Sequence, residues 1–215
     1  MTVLLFIATI IIFLTIDYFV RHKKITPVAV QPLPKAIPMR TPAGIFFTKS
    51  HTWLSLFPSG KVQLGIDDFL ARMFSKPTIA LLKNNGEQVK KGEPILRIAE
   101  GKNEVIIRSP IDGTIDSTNA SLTTNPNVLN DALFSEGWAY MIRPARTSDL
   151  RAFYLGDDTR IWLKEELGRL RDFFAHLATP TPAFLQDGGL PASGIMDNLN
   201  PEQCKKFENE FLRIE

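Results

Sequence analysis

Lys102 stands in Glu100-Gly101-Lys102-Asn103, between two short strand-like runs, Pro94 to Ala99 and Glu104 to Arg108. Two such runs separated by a few residues that include Gly predict a β-hairpin. Its tip carries an amine as far from the body of the protein as a side chain can reach. A group attached there is free to visit several active sites in turn. The ordinary alternative is a solvated turn lysine. No other reactive side chains converge in the sequence. Cys204 is the single cysteine, which excludes an intramolecular disulfide. His22, His51 and His176 are widely separated, and with one cysteine there is no zinc spacing. Asp187-Gly188-Gly189 has neither a following helix nor a lysine, so it is not a phosphate loop, and no nucleophile elbow or dinucleotide fingerprint is present. No catalytic residue and no metal site are predicted. The chain is expected to be a carrier or interaction module, not an enzyme.

The elements around the lysine read as short strands broken by turns. Phe46 to Phe57 is aromatic and β-branched and ends at Pro58-Ser59-Gly60; Lys61 to Leu64 alternates. Asp67 and Asp68 open a short helix, Asp68 to Phe74, with carboxylates where the helix dipole favours them. Thr78 to Leu82 is strand-like, Asn84-Asn85-Gly86 and Ser109 to Gly113 are turns, and Gly137 to Ile142 is a last strand. Many short strands at this spacing predict a small all-β barrel or sandwich.

Several motifs in this stretch, taken in order, resemble the glycine-cleavage H-protein family. Thr48-Lys49-Ser50-His51-Thr52-Trp53 is similar to its T-x-x-H-E-W. Gly65-Ile66-Asp67-Asp68-Phe69 resembles G-I-T-D-Y, and Gly86 with Val89-Lys90-Lys91-Gly92-Glu93 resembles G-x-x-V-K-K-G-E. From Gly65 to Lys102 is 37 positions and from Lys102 to Pro110 is eight, as in the family, with Ser109-Pro110-Ile111-Asp112-Gly113 matching S-P-V-x-G. Asn119, Leu122, Pro126, Leu129-Asn130 and Gly137-Trp138 continue the pattern. The resemblance implies a mainly β barrel-sandwich hybrid fold over residues 45–144, with Lys102 as the lipoyl attachment residue. It also implies lipoate as a covalent cofactor, attached by a lipoate ligase or lipoyl synthase. The implied partners are a glycine-cleavage-type decarboxylase, an aminomethyltransferase and a dihydrolipoyl dehydrogenase.

The hairpin departs from the family's E-S-V-K-A. Those positions are Ala99-Glu100-Gly101-Lys102-Asn103, and the acidic residue four after the lysine is Ile106. The family's later D-P-Y is Ala132-Leu133-Phe134. Glu100 is one place from the missing glutamate, but adjacent strand residues face opposite ways. Two alternatives follow: a membrane-anchored scaffold that uses the fold without lipoate, and a lipoyl carrier serving a different redox or sulfur system.

Outside this stretch, Val3 to Ile16 is uncharged, and with Asp17 to Val20 it approaches the ~20 residues that span a bilayer. Arg21, His22, Lys23 and Lys24 follow and no basic residue precedes, so residues 1–20 are expected to be a transmembrane helix with the rest in the cytoplasm. Residues 21–44 hold five prolines and predict an extended spacer. Net charge is +2 without a basic stripe, which argues against nucleic acid. Residues 145–215 predict a helical extension. Asp157 to Ala178 carries an apolar stripe at Leu163, Leu167, Leu170, Phe174 and Leu177, with Trp162 and Phe173 beside it and Asp157 or Asp158 as caps. The stripe is expected to pack on the barrel rather than form a partner seam. Asn200-Pro201 starts a last helix, Pro201 to Leu212, presenting Cys204, Phe207 and Phe211 as either core or docking patch.

Overall fold

A computed structural model describes residue 15, residues 39–177 and residues 194–214. Apart from Thr15, the apolar N-terminal run and most of the spacer lie outside the described residues, as does the segment 178–193. Among the described residues no helix is long and apolar enough to cross a membrane.

The described part is mainly β. Strands β1 (Ile45–Phe47), β2 (Thr52–Leu56), β3 (Val62–Ile66), β5 (Gln88–Val89), β8 (Gly113–Thr118) and β9 (Trp138–Pro144) form a six-stranded antiparallel sheet in the order β1-β2-β3-β9-β8-β5. Strands β4 (Thr78–Leu81), β6 (Pro94–Glu100) and β7 (Asn103–Arg108) form a second sheet in the order β4-β6-β7. The sheets share a core that includes Trp53, Leu64, Tyr140, Ile98 and Val105. Tyr140, in β9 of the larger sheet, donates its hydroxyl to the Ile95 carbonyl in β6 of the smaller one, at 2.5 Å, and accepts from the Lys83 amide at 3.2 Å. This phenol ties the two sheets through a buried polar group whose partners are supplied.

The single strand expected over Phe46 to Phe57 is two strands. Thr48 to His51 turn back, so that Ile45 pairs with Ser55 and Phe47 with Trp53. The cause is local side-chain chemistry. The Thr48 hydroxyl bonds those of Ser50 (3.0 Å) and Thr52 (2.7 Å), competing with an extended ladder. His51 completes the turn at φ 58, a left-handed conformation that is costly for a non-glycine residue.

The helix expected over Asp68 to Phe74 is α1 (Asp68–Arg72), two residues shorter, and two further short helices, α2 (Ser121–Thr124) and α3 (Val128–Asp131), lie outside the elements expected from the sequence. Asp67 caps α1 by accepting from the Leu70 amide. Asp68, buried at α1's first position, is gripped by Arg40 from the spacer's end and by Arg72.

A 3-10 turn, Thr147–Ala152, leads to α4 (Asp157–Ala175). Asp157 and Asp158 lie in its first turn, but the cap position is Gly156 at φ 61, and no side-chain cap bond forms. Leu163, Leu170 and Phe174 are buried and Leu167 and Leu177 partly so, all packed on the chain's own core. After a second 3-10 turn, Ile195–Asn198, comes α5 (Pro201–Phe211). Asn200 and Gln203 form a reciprocal capping box, with Pro201 at the first position. Cys204, Phe207 and Phe211 are core, not an exposed patch; Phe207 and Phe211 pack edge-on to Phe173 of α4 at 6.0 and 5.6 Å.

Gly65 explains why its position tolerates no side chain. The ladder between β3 and β9 is irregular there, and a Cβ would lie 2.7 Å from the Trp53 ring and 2.9 Å from the Gly137 carbonyl. Gly65→Ala should therefore lose ~1–3 kcal/mol of stability, as overpacking of a tight core does; urea unfolding measures this, and an unchanged midpoint would contradict the packing described.

Candidate carrier-lysine site

Strands β6 and β7 each run one residue further towards the tip than their composition suggests. Glu100 pairs with Asn103, leaving Gly101-Lys102 as a two-residue loop. Gly101 sits at φ 60, and among described non-glycine residues only His51 has positive φ, so the glycine takes the first, left-handed position of a type II′-like turn. Lys102 at the second position is exposed, with no hydrogen bond or ion pair to any described residue.

The strand flanks are occupied, and their alternation decides how. Asn103, Val105 and Ile107 face inward; Glu104 faces out. Asn103 is 2 % exposed, and its Nδ2 donates to the carbonyls of Met196 (2.6 Å) and Leu199 (2.7 Å), on either side of Asp197-Asn198. Glu100 also faces inward, where its carboxylate accepts from the backbone amides of Ser75, at 3.0 Å, and Lys76. The Met196 amide donates to the Met73 carbonyl at 3.0 Å. Cys204 donates its thiol to the Glu104 carbonyl at 3.3 Å, and burial pushes that thiol's pKa up to about 11, away from reactive thiolate chemistry. Asp197 reaches the tip: a Cβ on Gly101 would lie 2.6 Å from its Oδ1. The C-terminal segment thus holds one side of the hairpin and leaves the amine open.

The sequence singles out Lys102, and the structure puts it at the hairpin tip. It gives no warning of Asp197, about a hundred residues away. The only signals are Gly101 and Asn103, which break the family pattern at the two places the C-terminal segment touches.

A second buried cluster lies at His51. Its Nδ1 is 2.8 Å from Asp67 Oδ2, its Nε2 is 3.4 Å from Glu166 Oε1 in α4, and its ring stacks on Phe69 at 3.9 Å. Arg169 closes the array on Glu166 at 2.8 Å. Among the described residues no group of three His, Cys, Asp or Glu is placed to hold a metal. A cavity of about 270 Å³ is lined by Phe47, Lys91, Pro110, Tyr154 and Arg213 and includes no residue of the hairpin tip.

Two sheets around one core present Lys102, exposed, on a two-residue turn. The family model "Glycine cleavage H-protein" matches residues 45–166, 122 of the 215 positions, and the chain belongs to that family. Members of the family are carriers, not catalysts. Among curated relatives, the glycine cleavage system H protein of Ralstonia nicotianae is 29% identical over 117 residues, covering 54% of this chain and 91% of the relative. That of Opitutus terrae is 31% identical over 111 residues, covering 52% and 87%. Among solved structures, a glycine cleavage system H protein from Mycobacterium marinum aligns over 52% of this chain and 96% of its own, at 21% identity and a TM-score of 0.44. The match ends inside α4, so the rest of α4 and the whole of α5 lie beyond the family model.

Burial, the largest influence on His51, disfavours its charged form, but the charges and hydrogen bonds of Asp67 and Glu166 outweigh it and raise the pKa from 6.5 to about 9. A raised histidine pKa contributes stability that is full below about 6.5 and is lost as pH climbs through about 9. The melting temperature should fall between pH 7 and pH 10, and His51→Gln should flatten that fall. A wild-type profile flat across this range would show that His51 is not held protonated.

Proposed function

We propose that this chain is a lipoyl carrier in which Lys102 holds lipoate in amide linkage, tethered to the cytoplasmic face of a membrane by its N-terminal run. The observation that carries the reading is the exposed Lys102 amine on the Gly101-Lys102 turn, within a fold of the H-protein family. The residues present suit the group: the amine has no competing partner among the described residues, and the hairpin beneath it is fixed by Glu100 and Asn103. Bound lipoate would supply a disulfide that cycles to a dithiol and a thiol that accepts an aminomethyl group. The chain's own residues provide the rest: a rigid base, an exposed point of attachment and a long flexible stem. The reading extends to partners of the glycine-cleavage type, namely a decarboxylase, an aminomethyltransferase and a dihydrolipoyl dehydrogenase, with a lipoate ligase or lipoyl synthase for attachment.

The tether rests on Val3 to Ile16, on the basic residues Arg21 to Lys24 directly after the apolar run, and on the proline-rich spacer. If extended at ~3.1 Å per residue, a proline-rich stretch of that length would span tens of ångströms, a distance suited to engaging enzymes at the membrane face.

Peptide mass spectrometry on chain isolated from lipoate-replete cells should find the lipoyl increment on Lys102 and none on Lys102→Arg. An unmodified Lys102 would leave the scaffold reading in its place. If the increment is present, glycine–bicarbonate exchange with the other cleavage components separates a glycine carrier from one serving another redox or sulfur system. The chain should also stay in the membrane pellet after alkaline carbonate washing; release would remove the tether.

A further inference from the structure

We infer that Asp197, brought to the hairpin tip by the C-terminal segment, forms part of the surface by which the acylating enzyme recognises Lys102. The inference rests on the reading that Lys102 is lipoylated. The hairpin lacks acidic side chains where its family has them: three before the lysine is Ala99 and four after it is Ile106. Glu100 does not replace them, because it is turned inward and occupied by the Ser75 and Lys76 amides. Glu104 faces out, but its carboxylate leans towards Arg97 across the sheet, at 3.9 Å. The carboxylate at the turn itself comes from Asp197, an exposed residue whose Oδ1 occupies the space a Cβ on Gly101 would need.

Its position is fixed from both sides. The Asn103 amide holds the carbonyls of residues 196 and 199, and the Met196 amide is bonded to Met73. Asn103 Oδ1 is buried with no donor among the described residues, so this amide contributes through its NH2 alone. Gly101 makes the room and Asn103 makes the clasp. The two changes in the hairpin therefore receive one carboxylate beside the lysine, in a fixed and solvent-facing position. The partner that fits is an acyltransferase holding a lipoyl adenylate, with a cationic rim opposite Asp197. In the step itself the neutral Lys102 amine attacks the acyl carbon, an amide bond forms, the acyl–phosphate C–O bond breaks, AMP leaves and the amine's proton passes to solvent.

The test follows acylation of the detergent-solubilised full-length chain by purified lipoate–protein ligase with lipoate and ATP, read as the mass shift of the Lys102 peptide over time. Asp197→Asn changes charge without changing shape and should lower kcat/KM about tenfold, mostly through KM, with a weaker salt dependence than wild type, as loss of a rim charge does. Glu104→Gln should stay within about twofold of wild type. Asn103→Asp sets a carboxylate against two carbonyls. It should loosen residues 194–199 in hydrogen exchange and depress acylation to a similar extent, with the β domain's melting transition retained. Wild-type rates in Asp197→Asn, or an equal loss in Glu104→Gln, would overturn the inference while leaving the carrier reading intact. A wild-type chain that is never acylated would instead overturn the carrier reading.

Discussion

His51, buried between Asp67 and Glu166, ties together the turn after β1, the start of α1 and the middle of α4. Asp67 also caps α1, and Glu166 lies in the middle of α4. The imidazole therefore fixes the turn between β1 and β2, the start of α1 and the azimuth of α4 together. That azimuth turns Phe173 and Phe174 inward, giving Phe207 and Phe211 of α5 an aromatic surface to pack on. Pinned α5 in turn sets the 3-10 turn against the β6–β7 hairpin. Taking away one member of a buried charged array costs ~3–5 kcal/mol when its partners lose their counter-charge, although here Glu166 keeps Arg169 and Asp67 keeps the Leu70 amide. The strain of a left-handed histidine is small beside that, which is why a non-glycine residue persists there.

The carrier role proposed for Lys102 asks for two opposed properties: a mobile arm and an immobile base. The hairpin separates them within four residues. Glu100 and Asn103, the last ladder pair, are both buried and hydrogen-bonded to other segments, whereas Gly101 and Lys102 are exposed. Mobility is confined to the side chain, and the backbone beneath it is supported by residues around it, as precise placement of a functional group requires.

Local signals in the sequence carry most of this. The hairpin with Lys102 at its tip, the short helix after Asp67, the cap at Asn200-Pro201 and the inward stripe of α4 all follow from turn chemistry and periodicity over a few residues. What escapes is of two kinds. Where several rules compete in one segment, the wrong one can be chosen: the β-rich composition of Phe46 to Phe57 hides the Thr48–Ser50–Thr52 hydroxyl cluster that folds it in two, and Asp157 and Asp158 look like caps although Gly156 holds the cap position. Contacts across great sequence separation leave no local trace. Glu166 meets His51 across 115 positions, and Asn103 meets the Leu199 carbonyl across 96. A glutamate on the apolar side of a helix is the one mark of the first.

The second mark is the altered hairpin. Taken by itself, a glycine before the lysine and an asparagine after it look like erosion of a functional motif. Asn103 lies on the inward face of β7, where a buried amide without partners would cost ~1–3 kcal/mol. With the C-terminal segment in place its NH2 group has two carbonyls to bond, that of Met196, which also accepts from the Leu199 amide, and that of Leu199. The hairpin thus bonds the segment beyond the family model through the Asn103 NH2 group. Gly101 leaves room for Asp197 and Asn103 bonds the carbonyls on either side of it, so the departures at 101 and 103 both meet the segment that precedes α5.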